Sequence, residues 1–418
     1  MNHLQDICHL ITDGKHGDCQ NEEGSGYYFV SCKDVKDGWL DHSDARQITE
    51  SDFVDTHRRT QLQPNDILIT NSGTIGRMAL VPNIPEVSKT TFQKSVAIIK
   101  PNIDIVLPSW LYYYLYAKKN ELIAWAGGTA QKNLLLRDLR AFEISVPSFH
   151  IQHNIAAILS AYDDLIKNNT KRIKILEEMA QIIYNEWFVK FKFPGHENVK
   201  MVESELGMIP EGWEVKKLEQ VCTTVTDGSH WSPKSVDKGL PMASVKDMHN
   251  WGFNASKCRI VSKEDYDKLV SNDCRPLKND ILVAKDGSYL KHIFVVEKDM
   301  NLVVLSSIAI IRPSNICSHF LTMYLKDSSV IARMKGYVSG VAIPRIVLKD
   351  FKKFKVLVPT QELQDKWYNL VIPIVHECWR LIDKNTNLRE TRDLLLPKLI
   401  SGELDVSQLD IDVGGITA

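Results

Sequence analysis

Half of this chain repeats the other half. Thr12-Asp13-Gly14-Lys15-His16 returns as Thr226-Asp227-Gly228-Ser229-His230, and Asn65-Asp66-Ile67-Leu68 returns as Asn279-Asp280-Ile281-Leu282. Asp138 and Pro147 return as Asp350 and Pro359. The offset stays at about 210 to 214 residues in a chain of 418, so this is one duplication and not a solenoid array. Two similar modules imply a pseudo-two-fold particle, which suits a target that itself has two parts.

The expected fold class is mixed α/β (α+β): two similar modules separated by two long helices of coiled-coil period. The first module spans 1–147, a helix 148–192, a linker 193–209, the second module 210–359, a second helix 360–402 and a weakly ordered tail 403–418. Ile67-Leu68-Ile69-Thr70 and Ile281-Leu282-Val283-Ala284 read as strands bounded by turn residues. So do Val96 to Ile99 and Ile308 to Ile311, each running into a basic residue and proline. Phe142 to Pro147 and Phe354 to Pro359 alternate as half-buried strands do. One helix per module is expected near Trp110 to Leu115 and Phe320 to Leu325.

In the first long helix Ile151, Ile155, Ile158, Tyr162, Leu165, Leu176, Met179 and Ile183 fall on one seam. Cys378, Leu381, Leu388, Leu395 and Leu399 form the corresponding seam of the second. Each helix should reach about 60 Å at 1.5 Å per residue, with a kink at Pro373. Asn169 and Asn385 occupy equivalent seam positions. A buried asparagine there costs stability but fixes register, so the pair is expected to lock the two helices together near the pseudo-dyad.

Charge does not announce a nucleic-acid binder: the net charge is −1, and any basic footprint must be local. The eight cysteines show no CxxC pairing and read as reduced core residues of a cytoplasmic protein. No apolar run is long enough for a transmembrane span, and the N-terminus lacks the pattern of a signal peptide.

Catalytic patterns are scarce. No dinucleotide fingerprint, P-loop, HExxH or zinc spacing occurs, and no metal or cofactor is expected. Ser235-Val236-Asp237-Lys238 fits S-x-x-K, a pattern loose enough to occur by chance. His16 and His230 recur beside aspartates, but no nucleophile recurs with them.

The modules share strand and helix positions and differ in loop chemistry, as two readers of two targets would. In the first loop Lys15, His16, His230 and Trp231 can donate to phosphate or base edges, or stack, around a tight Asp-Gly turn. In the second, Asn71, Ser72, Thr74 and Arg77 stand against Lys285, Ser288, Tyr289 and Lys291. In the third, Gln131, Lys132 and Asn133 stand against Arg345. Arg or Lys pairs well with guanine, and Asn or Gln with adenine, in the major groove. The recurring Lys33-Asp34 and Lys246-Asp247 read as structural pairs.

Three further stretches carry a family resemblance: Glu205 to Leu218, with Ile209-Pro210-Glu211-Gly212-Trp213; Trp187-Phe188-Val189-Lys190-Phe191; and Leu394 to Leu404, with Leu396-Pro397-Lys398-Leu399-Ile400-Ser401-Gly402. The chain resembles the specificity subunit of type I restriction–modification systems over nearly its full length. The first module departs from that pattern by starting at Leu4, the equivalent of Leu218, without an Ile-Pro-x-Gly-Trp opening.

The resemblance implies two target-recognition domains, each reading half of a split, asymmetric double-stranded DNA sequence, held apart by the two coiled-coil helices packed antiparallel. It implies a non-catalytic subunit that recruits methyltransferase subunits, two of them, and through these the restriction and translocase subunits. Two other readings remain at this point: a coiled-coil scaffold that binds only proteins, and a hydrolase with duplicated histidine loops. The bases recognised and the gap length are not legible in the sequence.

Overall fold

The computed structural model describes residues 2–127, 132–286, 290–336, 338–339 and 345–411. The chain divides into two units, Met1–Asn169 with Lys384–Ala418, and Thr170–Asp383.

In chain order the first unit begins with β1 (Asn2–His3), β2 (Cys8–Asp13), β3 (Tyr28–Val30) and β4 (Arg46–Gln47). There follow α1 (Glu50–Thr60), β5 (Ile67–Thr70), β6 (Met78–Leu80), β7 (Thr90–Phe92), β8 (Val96–Pro101), α2 (Pro108–Ala117) and β9 (Glu143–Ile144). A long helix, α3 (Phe149–Tyr184), begins here.

The second module carries β10 (Glu214–Lys217), β11 (Cys222–Asp227), β12 (Leu240–Ala243), β13 (Arg259–Val261), α4 (Lys263–Ser271) and β14 (Ile281–Ala284). It continues with β15 (Ile293–Val295), β16 (Val303–Val304), β17 (Ile308–Pro313), α5 (Ser318–Lys326) and β18 (Lys355–Val358). The second long helix is α6 (Gln361–Ser401).

Each module is built on a four-stranded antiparallel sheet of matching order, β2-β8-β5-β6 in one and β11-β17-β14-β15 in the other. The central strands read as unbroken apolar runs because both faces are covered. Ile67, Ile69, Ala97 and Ile99 face a core that includes α2, whereas Leu68, Val96 and Ile98 face Val30 and Phe92 of the small sheet β4-β3-β7. The second module repeats the division: Ile281, Val283, Ala309 and Ile311 on one side, Leu282, Ala284, Ile308 and Ile310 on the other.

The repeated Asn-Asp belongs to this framework. Asn65 and Asn279 turn the chain at φ 71° and 70°, a left-handed conformation that asparagine tolerates. The following aspartates are buried. Asp66 accepts from the Gln63 N–H (2.8 Å) and from Lys100 (2.6 Å). Asp280 accepts from the Leu277 N–H (2.8 Å) and pairs with Arg312 (2.8 and 3.0 Å). The basic residue ahead of each strand-ending proline is thus the partner of this carboxylate. Asp34 and Asp247 are also structural, each accepting from the backbone N–H and hydroxyl of Ser31 or Ser244.

Several expectations need correction. There is more than one helix per module: α1 and α4 are capped by Thr49 and Ser262, and their polar sequences hid them from a search for apolar runs. On the α3 seam Leu165 and Met179 are exposed, 51% and 46%, while Leu159, Ala180 and Tyr184 are buried. A strict heptad drifts around a 3.6-residue helix, and the contacts here follow the helix. Helix α6 continues through Pro373 and Pro397.

The 193–209 linker contains a hairpin, Met201–Ser204 with Gly207–Pro210, and Phe193 stacks on Trp213. The tail is docked as far as it is described. Val406 is buried, and the Asn154 side chain donates to the carbonyls of Val406 (3.0 Å) and Leu409 (2.8 Å). At the other end, Asn2–His3 pairs with Glu143–Ile144, so a short opening strand exists where the Ile-Pro-x-Gly-Trp motif is lacking.

Among the described residues no helix is long and apolar enough to cross a membrane. The cysteines are free thiols, and burial pushes Cys8, Cys222 and Cys378 up to about 12.

A buried pair gives the second unit a pH signature. His319 Nε2 lies 2.7 Å from Glu297 Oε1. Burial opposes the imidazolium, but hydrogen bonds to Cys317 and Glu297 and the Glu297 charge carry its pKa up to about 9. A raised folded-state pKa adds stability that is complete below the unfolded value near 6.5 and disappears as pH climbs through 9. Unfolding monitored by circular dichroism should therefore show stability falling by up to about 3 kcal/mol between pH 6.5 and 9.5. H319Q should flatten that dependence.

Candidate nucleic-acid interface

Five segments meet at one end of each four-stranded sheet, and the backbone bonds that join them are the same in both modules. In the first, Lys15 N–H donates to Phe92 O (2.8 Å) and Lys94 N–H to Lys15 O (3.0 Å). Asn71 N–H donates to Ser95 O (3.0 Å) and Leu134 N–H to Asn71 O (2.9 Å). Ser72 bridges Asn133, and Cys32 N–H donates to Ser95 Oγ (3.3 Å).

In the second, Ser229 N–H donates to Val304 O (2.9 Å), Ser306 N–H to Ser229 O (2.9 Å) and Lys285 N–H to Ser307 O (2.9 Å). Ile346 N–H donates to Lys285 O (3.1 Å), Asp286 bridges Arg345, and Val245 N–H donates to Ser307 Oγ (3.2 Å). The three loops singled out in sequence are therefore one surface in each module.

The repeated Asp-Gly has a reason other than a tight hairpin tip. A Cβ on Gly14 would lie 1.9 Å from Phe92 O, and one on Gly228 would lie 2.1 Å from Val304 O. Only glycine lets the loop close onto the neighbouring strand end.

The side chains on this common net differ. Asp13 accepts from Arg59 (2.9 Å) and contacts His16 Nε2 (2.9 Å). Its mate Asp227 is held by Lys285 (2.7 Å), with His230 at 3.3 Å. Lys285 is thus buried in an internal ion pair, which corrects its reading as a DNA contact: the aspartate needs a cation, and this module lacks an Arg59 in that role. Lys15 is bound to Asp55 (2.6 Å), and that hydrogen bond raises its pKa. His16 and His230 project into solvent, and the exposed Trp231 carries Lys268 over its ring at 4.8 Å.

Asn71 is buried, and its Oδ1 has no partner among the described residues. Ser72 and Arg77 are half-buried. Thr74, Lys132, Asn133, Lys291 and Arg345 are exposed. Gln131, Ser288 and Tyr289 lie outside the described residues.

Sequence reasoning missed residues 93–95 with their mates 305–307, and in 31–33 and 244–246 it saw Lys33 and Lys246 only as halves of structural pairs. The serines at their hub, Ser95 and Ser307, recur one residue ahead of a repeated strand, and that recurrence was the available signal. Lys33, Lys94 and Lys246 are exposed there and have no ion pair among the described residues. Ser235 and Lys238 lie in an exposed loop. Among the described residues no cluster of three or more His, Cys, Asp or Glu side chains is arranged to hold a metal ion.

The family model for the type I restriction modification DNA specificity domain matches residues 1–178 and again 210–371, most of the chain and both repeats. The chain belongs to that family. It is 29% identical over 420 residues to the type I restriction enzyme MjaVIII specificity subunit of Methanocaldococcus jannaschii, covering 97% of this chain and 93% of that one. To the MjaIX specificity subunit of the same organism it is 28% identical over 372 residues, 87% and 83% of the two chains. The crystal structure of the S subunit from M. genitalium shares the fold, with a TM-score of 0.54, 18% identity and 95% coverage of both chains. The protein is a type I restriction–modification DNA specificity subunit. Neither the hydrolase nor the protein-scaffold reading finds support in these matches.

Proposed function

We propose that this specificity subunit reads a two-part, asymmetric double-stranded DNA sequence, one half with each five-segment surface. It supplies recognition and no chemistry, and it brings methyltransferase subunits, two per complex, to the site and restriction and translocase subunits through them. One observation carries the reading: identical backbone nets present unlike side chains. Lys15, Ser72, Lys94 and Asn133 in one module correspond to Ser229, Asp286, Ser306 and Arg345 in the other. Identical scaffolds conserve a docking geometry, and unlike tips alter which base edges are satisfied.

The DNA contacts are proposed for Lys15, His16, Ser72, Thr74, Arg77, Lys132 and Asn133 in one half, and His230, Trp231, Lys291 and Arg345 in the other. Asn71, Gln131, Ser288 and Tyr289 are carried with them as proposals from the sequence. Lys33, Lys94 and Lys246 add phosphate contacts. Mapping methylated adenines across the genome of cells carrying this subunit and its methyltransferase should return a split motif. A continuous motif would overturn the reading.

We further propose that α3 and α6 pack as an antiparallel coiled-coil spacer. Helices of 36 and 41 residues reach about 54 and 62 Å, enough to set half-sites about one duplex turn, ~34 Å, apart. In support, Asn169 Nδ2 donates to Asn385 Oδ1 at 2.9 Å, and both residues are buried. N385L alone leaves the Asn169 amide unpaired and should cost about 1–3 kcal/mol. The N169L/N385L double variant should regain that stability or exceed it, while the gap in the methylated motif becomes variable. An unchanged gap with no gain in stability removes the register role.

Exposed Leu165, Ile175, Met179, Ile182 and Leu394 support a protein partner along these helices. DNA binding by the subunit alone should be weak and salt-sensitive, and tight once the methyltransferase is added.

A further inference from the structure

The second unit holds a cavity of about 230 Å³ between α5 and the nearby segments of α3 and α6. Its apolar lining includes Ala180, Phe294, Trp367, Val371, Ile374 and Trp379. The polar groups at it are Glu177, Glu297, His319, Thr322 and Lys326.

The repeat shows what the corresponding space holds elsewhere. Leu107 N–H donates to Gln152 Oε1 (2.7 Å), as Cys317 N–H donates to Gln364 Oε1 (2.8 Å), and this aligns α2 with α5. Tyr112, Tyr113 and Tyr116 of the first unit then correspond to Thr322, Met323 and Lys326 of the second. Tyr112 and Tyr113 are buried, and the Tyr113 hydroxyl donates to Asp163 Oδ2 (2.7 Å). The first unit fills the space with phenol rings and ends one of them on a carboxylate. The second unit has shed the rings and has Val375 in place of Asp163, and the carboxylates at its cavity, Glu177 and Glu297, come from other positions.

Two buried groups at the cavity, the Thr322 hydroxyl and the Trp367 indole N–H, have no hydrogen-bond partner among the described residues. Buried polar groups are ordinarily paired. Glu177 accepts one bond, from the Trp251 indole N–H (2.6 Å), and an ionised carboxylate has room for more. Lys326 brings a cation to the same walls, which favours an electron-rich ring.

We propose that this cavity is a binding site for a small aromatic molecule of phenol or indole size bearing a hydroxyl or N–H donor. A cavity of ~150 Å³ is enough for benzene, so a substituted ring fits this one. The donor takes a free lone pair of Glu177, the ring packs between Trp379 and the aliphatic wall, and Lys326 closes over it. The occupant joins α5 to the α3 and α6 segments as the tyrosines do in the first unit. This inference does not rest on the DNA reading.

The test uses the full chain and 4-fluorophenol followed by ¹⁹F NMR. Saturable binding is expected, weakened at least tenfold in T322Y/M323Y, which restores the rings of the first unit. Fluorobenzene, which lacks the donor, should bind at least tenfold more weakly than 4-fluorophenol. Should the double variant not melt cooperatively, A180L fills the same space with a smaller change and should weaken binding likewise. No saturable binding, equal binding by a folded filled variant, or equal binding of the two probes overturns the proposal.

Discussion

R345A is expected to relax one half of the recognised sequence and leave the other intact. Arg345 is exposed beside Asp286, and its guanidinium has no ion pair among the described residues. An arginine paired in two-pronged fashion with guanine is worth about 1–3 kcal/mol of discrimination, so methylation at the cognate half-site should fall about 10- to 100-fold relative to its single-base variants. K132A and N133A should act on the opposite half. Adenine-methylation sequencing of cells carrying each variant checks both. Equal loss across both halves in every variant would mean that these residues support the fold or bind phosphate without reading bases.

D280A is expected to lower the stability of the second unit by about 2–4 kcal/mol, because it strips the two-pronged partner from the half-buried Arg312 guanidinium and leaves it only Asp273 at 3.8 Å. It also removes the acceptor of the Leu277 N–H at the turn into β14. For a unit of this size the loss corresponds to a melting shift of roughly 4–16 °C. Adding R312M should recover part of it, since a well-packed apolar pair avoids the desolvation that the ion pair has to overcome. Calorimetry that finds D280A within a degree of the parent would show that this carboxylate is not what secures the strand.

Much of the fold was legible because it is written as period and repetition. The apolar runs at 67–70, 96–99, 281–284 and 308–311 became the central strands. α1 and α4 escaped notice because their polar faces look like loop, and only the Thr49 and Ser262 caps mark their starts. The candidate loops were legible as differences between copies. Residues 93–95 were not, since their importance lies in which distant backbone groups they join.

The case of Lys285 is the sharpest. A lysine in a variable loop reads as a donor to nucleic acid, yet in the folded chain it neutralises Asp227. Asp66 and Asp280 run the other way, from a recurring motif that could have been a site to the pins of the strand framework. Local periodicity, turn residues and the copying of one half into the other are properties of neighbouring residues, so the linear order alone sets the modules, the long helices and the family. Which charges are consumed inside, and that one unit keeps a cavity the other fills with tyrosines, depend on segments far apart in the chain. Those outcomes are set by desolvation and packing, which act only once the segments have been brought together.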